Sequence, residues 1–354
     1  MIAGLFRLQQ KWICRCAGLP YNTGSISSKC SAVTTNMEEV FPMSFLYEYR
    51  KNQCIHLVNA ISRRALKKML IYQDTCRTCM NRQAGNDYLM SAIAKNEPFA
   101  AVRFGGTEIR MIADVLYGRS TNTAHISGWA RSRVANTGFF PTEFSEIEKY
   151  ADLCLDKIRH ADAIGVWNMF MEDCILRQYA PQIKMFDMIS LESFYFANPW
   201  TAELAGKKVL VIHPFARTIE EQYQKRTKLF TDQNVLPEFK LETIKAVQTI
   251  AGTDSGFKSW FDALEWMYDQ AMDKDFDIAL IGCGAYGFPL AVKLKQSGKM
   301  AVQICGPLQL YFGIKGKRWD KNPIYYKMYN PYWVRPSFEE TPQNALKVEH
   351  GCYW

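Results

Sequence analysis

From residue 99 onward, short apolar runs alternate with longer stretches of helical periodicity, and this alternation constrains the fold more than any other feature of the chain. The strand-like runs are Phe99–Phe104, Ala163–Trp167, Lys208–His213, Phe239–Val247, Phe276–Ile281 and Met300–Ile304. Between them, Phe144–Ile158, Thr218–Leu229, Phe257–Met272 and Phe288–Gln296 read as helices. In the third of these, Phe257, Trp260, Phe261, Leu264, Met267 and Ala271 recur at the spacing of one apolar helix face, a core face. Strands separated by helices pair in parallel, because a parallel neighbour needs a crossover long enough to hold a helix. The expectation is an α/β fold with a Rossmann-like, mostly parallel sheet flanked by helices, and ligands bound beyond the carboxyl ends of its strands.

Composition narrows the class further. At 354 residues and 48% hydrophobic content the chain can bury a substantial core. Its net charge of +8 is not gathered into runs of five or more cations, which suits anionic ligands and not a nucleic-acid surface. No apolar stretch reaches eighteen residues, so no transmembrane segment is expected and at most a peripheral membrane association. Eleven cysteines without regular spacing suit reduced thiols and a cytoplasmic setting. Cys76 and Cys79 have CxxC spacing but no second pair, and read as thiols in a helical connector.

Residues 1–43 carry Arg7, Lys11, Arg15 and Lys29 with no acid before Glu38, and are expected to be a leader or an over-extended start, since Met37 and Met43 are credible initiators. Residues 44–97 form an N-terminal helical element, patterned by Phe45, Leu46, Tyr49, Leu57, Ile61, Leu66 and Leu70. The Rossmann-like domain spans 98–354.

After the run Ile278–Ile281 comes Gly282-Cys283-Gly284-Ala285-Tyr286-Gly287, a GxGxxG pattern ahead of a helix with Leu290, Val292 and Leu294. In that context glycines let the backbone approach a phosphate held at a helix N-terminus, although strand-to-helix packing can also demand them. From Phe288 to Lys317 there is no Asp or Glu. A dinucleotide dehydrogenase places an acid about 20 residues beyond its glycines to hold the ribose. Its absence argues against NAD-dependent oxidoreduction and against an adenosyl-methionine site.

Other strand ends carry chemistry too. Arg103-Phe104-Gly105-Gly106-Thr107-Glu108 offers a guanidinium fork and a carboxylate. Thr107 as a helix N-cap, with Glu108 complementing the helix dipole, accounts for it equally well. His213 ends a strand, where a neutral imidazole binds a base or ribose and an imidazolium binds phosphate. Lys245 is either a phosphate contact or an edge-strand charge. Lys315, Lys317 and Arg318 form either a solvated loop or a diphosphate clamp. Asn136, in a turn ahead of a helix, suits a cap or a sugar contact. The aromatics Tyr325, Tyr326, Tyr329, Tyr332, Trp333, Tyr353 and Trp354 suit core packing or sugar stacking.

Taken in order, Arg-Phe-Gly-x-x-Glu at 103–108, Asn-x-Gly-Phe-Phe-Pro at 136–141, Asn198-Pro199-Trp200, the His-Pro-Phe strand end, the glycine loop and Phe-Gly-Ile-Lys-Gly-Lys-Arg-Trp at 312–319 resemble bacterial glycosyltransferases of the GT-D type over about residues 95–354. The resemblance implies a nucleotide-sugar donor, a glycan acceptor and a role in surface polysaccharide synthesis. The donor-binding set expected from these motifs is Arg103, Gly105, Gly106, Thr107, His213, Lys245, Gly282, Gly284, Tyr286, Gly287, Lys315, Lys317 and Arg318. Glu108 is the expected catalytic residue, either helping to hold a divalent metal (manganese or magnesium) or activating the acceptor hydroxyl. The family pattern is Arg-Phe-Gly-Asp-Gly-Glu, so this chain has Gly106 where the family has Asp. One carboxylate alone is a poor site for a hard cation, which takes several oxygen ligands. The competing functional classes are a nucleotide-binding protein or nucleoside-phosphate hydrolase on the same fold, and a scaffold of a polysaccharide assembly.

Overall fold

A computed structural model describes residues 37–66 and 79–354, with side chains from 45–62 and 79–354. Most of the expected leader, and Cys76 of the CxxC pair, lie outside the described residues. Strands β1 (Phe99–Val102), β2 (Ala163–Val166), β3 (Lys184–Asp187), β4 (Lys208–His213), β5 (Lys240–Lys245), β6 (Ile278–Ile281) and β7 (Met300–Gln303) form one sheet. Their order is β3-β2-β1-β7-β6-β4-β5, and all neighbours are parallel. Every residue of β1, β2, β6 and β7 is buried, as expected where helices cover both faces of a sheet.

Alternation along each strand divides the core. Ala100, Val102, Leu210, Ile212, Ala279 and Ile281 point into one layer. Ala101, Val209, Val211, Leu280 and Val302 point into the other. The helices, numbered in chain order, are α1 (Met37–Leu66), α2 (Arg82–Ala94), α3 (Gly106–Thr121), α4 (Phe144–Ile158), α5 (Glu172–Tyr179), α6 (Ala216–Tyr223), α7 (Trp260–Met272) and α8 (Gly287–Gln296), with one-turn pieces between them. Helices α3, α4, α7 and α8 cover the first face through Ile109, Ile147, Trp260 and Leu290. The second face is covered by α2 and α6, through Leu89 and Ile219, and by the C-terminal segment, through Tyr311, Trp319, Trp333 and Trp354.

Local chemistry explains several boundaries. Ser259 caps α7 by accepting from the Asp262 amide at 3.2 Å, so this helix starts later than its apolar pattern, which begins at Phe257. The stretch expected to be helical over Thr218–Leu229 instead ends its α-helix at Tyr223, and the chain turns through a 3₁₀ piece, Arg226–Lys228. Helix α1 packs on α3 through Phe45 and Tyr49, but Leu57 and Ile61 of the expected apolar pattern are 63% and 59% exposed. No helix among the described residues is long and apolar enough to cross a membrane.

One polar cluster ties the amino-terminal helix to the sheet layer. The buried carboxylate of Asp114 on α3 accepts from Tyr49 Oη of α1 at 2.5 Å and from Arg110 Nε at 2.9 Å. It also accepts from the amide and hydroxyl of Ser127, at 2.9 and 2.5 Å. Ser127 in turn caps the one-turn helix Gly128–Arg131.

Candidate functional site

The carboxyl ends of β1, β2, β4, β6 and β7 open into a cleft of about 430 Å³. Its floor depends on Gly282. A Cβ there would lie 2.5 Å from the His213 ring and 3.0 Å from the Cys305 carbonyl oxygen, so no larger residue fits between the ends of β4 and β7. Gly284 has φ +60° and turns the chain toward α8. Tyr286 lines the cleft wall, stacked on Trp260 with ring centres 4.8 Å apart and sharing a 2.9 Å hydrogen bond with Thr249 Oγ1.

His213 Nδ1 accepts from the Phe215 amide at 3.0 Å. Burial pushes its pKa down to about 3, so the imidazole is neutral at physiological pH and its proton is assigned to Nε2. Of the two uses expected for this histidine, the neutral donor suited to a base or ribose fits, and the phosphate-binding imidazolium does not.

At the end of β1 the Arg103 amide donates to Gln303 Oε1 at 2.9 Å, which joins the ends of β1 and β7. Gly105, not Thr107, is the N-cap residue of α3. The Glu108 carboxylate folds back over it, since a Cβ on Gly105 would lie 2.1 Å from Glu108 Oε2. There it accepts from the amides of Thr107 and Glu108. Burial raises the Glu108 pKa, opposed by these amides and by the Arg103 cation. A carboxylate so placed stays on the cleft wall with an enhanced affinity for a proton.

The Arg103 guanidinium lies 4.9 Å from the Trp167 ring centre, and its Nε is buried without a hydrogen-bond partner. Among the described residues it makes no ion pair. Two further carboxylates feel its field. Glu172 Oε2 accepts from the amides of Trp167 at 3.2 Å and Met169 at 3.0 Å. Glu192 accepts from Tyr325 Oη at 2.9 Å. Burial pushes both up to about 7.

The pH dependence follows in sign. With Glu192 raised from 4.5 to about 7 in the folded chain, the unfolded chain loses the proton first, so stability falls as pH rises through this window. At about 1.4 kcal/mol per pKa unit the cost is roughly 3 kcal/mol, complete above the folded value. Relative to the wild type, Glu192→Gln is expected to gain stability between about pH 4 and about pH 8, as measured by urea unfolding. The same difference at both pH values would show that the carboxyl ionises normally.

At the rim, Arg133 stacks over Trp129 at 4.6 Å and Arg318 over Tyr353 at 4.6 Å, with Arg318 also paired to Glu349. Trp129 and Trp167 are 45% and 38% exposed. Of the expected site residues, Arg103, Gly105, Gly106, Thr107, Glu108, His213, Gly282, Gly284, Tyr286 and Arg318 line the cleft, as does Asn136. Four do not. Gly287 packs beneath Gln303, where a Cβ would lie 3.1 Å from its Cγ. Lys245 is exposed at the end of the edge strand β5. The Lys315 amide donates to the Val334 carbonyl at 2.7 Å, and its ammonium lies 5.5 Å from the Tyr329 ring centre. Lys317 is exposed outside the cleft. The expected three-cation clamp thus brings Arg318 alone to the cleft. Arg133, Trp129, Trp167 and Gln303 also line the cleft, and none of the four was among the expected site residues. The tract Ser127-Gly128-Trp129-Ala130-Arg131-Ser132-Arg133, cationic and aromatic within one turn, was the available signal.

Among the described residues no three His, Cys, Asp or Glu side chains are grouped to hold an ion.

The chain matches the GT-D-like family, described as a GT-D fold-like domain, over residues 81–307. No curated protein and no solved structure matches it. The family match takes in α2 and every strand of the sheet, together with the β1, β4 and β6 ends that form the cleft. With well over half its length matched, the chain belongs to the GT-D fold-like domain family.

Proposed function

We propose that the protein is a glycosyltransferase that moves a sugar from a nucleotide-sugar donor to a hydroxyl of a glycan acceptor. The observation that carries this reading is the placement of Glu108 and the unpaired Arg103 guanidinium in one cleft, at the strand ends of a GT-D-like sheet. In the reaction the bond from the sugar's anomeric carbon to the diphosphate breaks and a bond to the acceptor oxygen forms. Glu108 takes the acceptor proton, a task its raised pKa suits. Arg103 and Arg318 neutralise the departing diphosphate, and His213 Nε2 donates to the ribose or base. Surface polysaccharide synthesis in a reducing cytoplasm is the setting we infer. The thiols support the reducing compartment, since Cys154, Cys174, Cys283, Cys305 and Cys352 form no disulfide.

A thermal-shift screen of the purified chain against UDP-, GDP-, dTDP- and CMP-linked sugars tests the reading. A donor at about a hundred times its dissociation constant adds about 2.7 kcal/mol of stability, enough to raise the melting temperature by several degrees. The stabilising donor is then incubated with glycan acceptors and the products separated by mass. Transfer supports the reading, whereas release of free sugar without transfer replaces it by donor hydrolysis. No shift with any donor at millimolar concentration removes it.

A further inference from the structure

We infer that the cleft holds the donor diphosphate without a divalent cation, with arginine guanidiniums supplying the positive charge a metal would bring. The inference rests on the nucleotide-sugar reading above and deepens it.

At a nucleotide diphosphate a magnesium or manganese ion is held by phosphate oxygens, waters and one or two protein carboxylates free to turn to it. Gly106 contributes no ligand, and the nearest atom to a Cβ built there is the terminal methyl of Met169, at 2.6 Å. The Glu108 carboxylate lies over Gly105, turned toward the amides at the start of α3. The other carboxylate that lines the cleft, Glu349, is paired with Arg318. Glu172, which turns Oε2 to the amides of Trp167 and Met169 and leaves Oε1 buried without a partner, and Glu192, bonded to Tyr325, are not among the lining residues.

The cations are placed the opposite way. Arg103 lines the cleft with its Nε buried and unpartnered, the mark of a donor that lacks its acceptor. At the rim, Arg133 donates to the Trp129 carbonyl at 3.2 Å and to Ser132 Oγ at 3.1 Å, and among the described residues it has no carboxylate partner. Each guanidinium rests on an aromatic ring, Arg103 on Trp167 and Arg133 on Trp129, which limits the conformational freedom lost on binding. A planar fork already oriented matches phosphate oxygens bidentately and needs no ion between them.

Isothermal titration of the full chain with UDP, GDP, dTDP and ADP, in EDTA and again in manganese, tests this. The affinity of the nucleotide that binds is expected to agree within about twofold between the two conditions, against the tenfold that marks a lost charged contact. Arg103→Ala is expected to weaken binding about tenfold or more in EDTA, with Arg103→Lys intermediate because it keeps the charge and loses the fork. The lysine variant serves as the reporter if the alanine variant does not fold. Manganese paramagnetic resonance is expected to show no protein-bound ion in the presence of nucleotide. Tightening of tenfold or more by manganese, or a bound-ion signal, would overturn the inference and leave the donor reading standing. Failure of every nucleoside diphosphate to bind in both conditions would overturn the two together.

Discussion

Glu108→Gln is expected to lower turnover by about 10²–10⁴-fold, the range for loss of a general base, while the protein stays folded. Stability is preserved because the amide oxygen of glutamine can still accept from the Thr107 and Glu108 amides that the carboxylate now caps. Loss of the negative charge at the start of α3 costs about 0.3–1 kcal/mol, offset by the lower cost of burying a neutral group. In the wild type the rate is expected to fall as pH drops through the raised Glu108 pKa, above the ordinary 4.5, because only the ionised form takes a proton. The variant should lack that limb. Steady-state transfer rates across pH, with melting temperatures as the control for folding, measure both effects. Turnover within about tenfold of wild type would take Glu108 out of the chemistry and leave it as a helix cap.

Periodicity revealed the sheet where both of its faces are buried. Each strand between β2 and β5 in the sheet order carries a run of apolar residues, and each was visible as such. The four-residue edge strand β3 was not, with Phe186 its one fully buried residue, whereas the edge strand β5 lay within the longer run Phe239–Val247 that buries Phe239, Ile244 and Ala246. Helix α5 was missed, and α2 was not delimited within the helical element expected over 44–97, for a related reason. In α2 the buried set includes Gly85 and Asn86, and Asn86 is buried to clamp a distant segment, accepting from the Trp200 amide at 2.9 Å and donating to the Asn198 carbonyl at 2.9 Å. A polar residue that serves a tertiary contact weakens the local apolar pattern. The Asn-Pro-Trp motif is correspondingly a piece of core, with Trp200 fully buried.

The candidate site was legible where its residues follow a strand directly, as Arg103, His213 and Gly282 do. It was not legible where loops return to the cleft from elsewhere in the chain. Trp129 and Arg133 arrive from the connection between α3 and α4, and Tyr353 from the last residues of the chain. Their approach is set by tertiary packing, which no local spacing encodes. The cations at 315 and 317 misled for the same reason: adjacency in sequence suggested a clamp, while Lys315 and Lys317 both stay outside the cleft. The C-terminal aromatics divide between the two uses expected of them. Tyr325, Trp333 and Trp354 are core, and Trp354 and Tyr353 also line the cleft.

The largest loss of stability is expected from Asp114→Ala, about 3–5 kcal/mol, the cost of removing one partner from a buried charge pair. Its carboxylate is fully buried and accepts from Tyr49, from Arg110 and twice from Ser127, so truncation leaves a guanidinium, two hydroxyls and an amide to find other acceptors at once. The surface pairs of Arg119 with Glu148 and Asp152 set the contrast. Their side chains are all more than a third exposed, and each pair contributes about 0–1 kcal/mol. Tyr49→Phe, which deletes one donor and keeps the ring stacked on Tyr117, is expected to cost only about 1 kcal/mol. Urea unfolding of the three proteins measures these differences, and an Asp114→Ala loss below about 1 kcal/mol would show that water has replaced the missing acceptor. The cluster also reaches the site, because Ser127 starts the short helix that carries Trp129 to the rim and leads to Arg133. Freeing Ser127 removes the tether that holds this segment on α3. Tyr49→Phe leaves the tether intact, so a loss of nucleotide affinity in Asp114→Ala that is absent from Tyr49→Phe would trace the position of the rim to this one carboxylate.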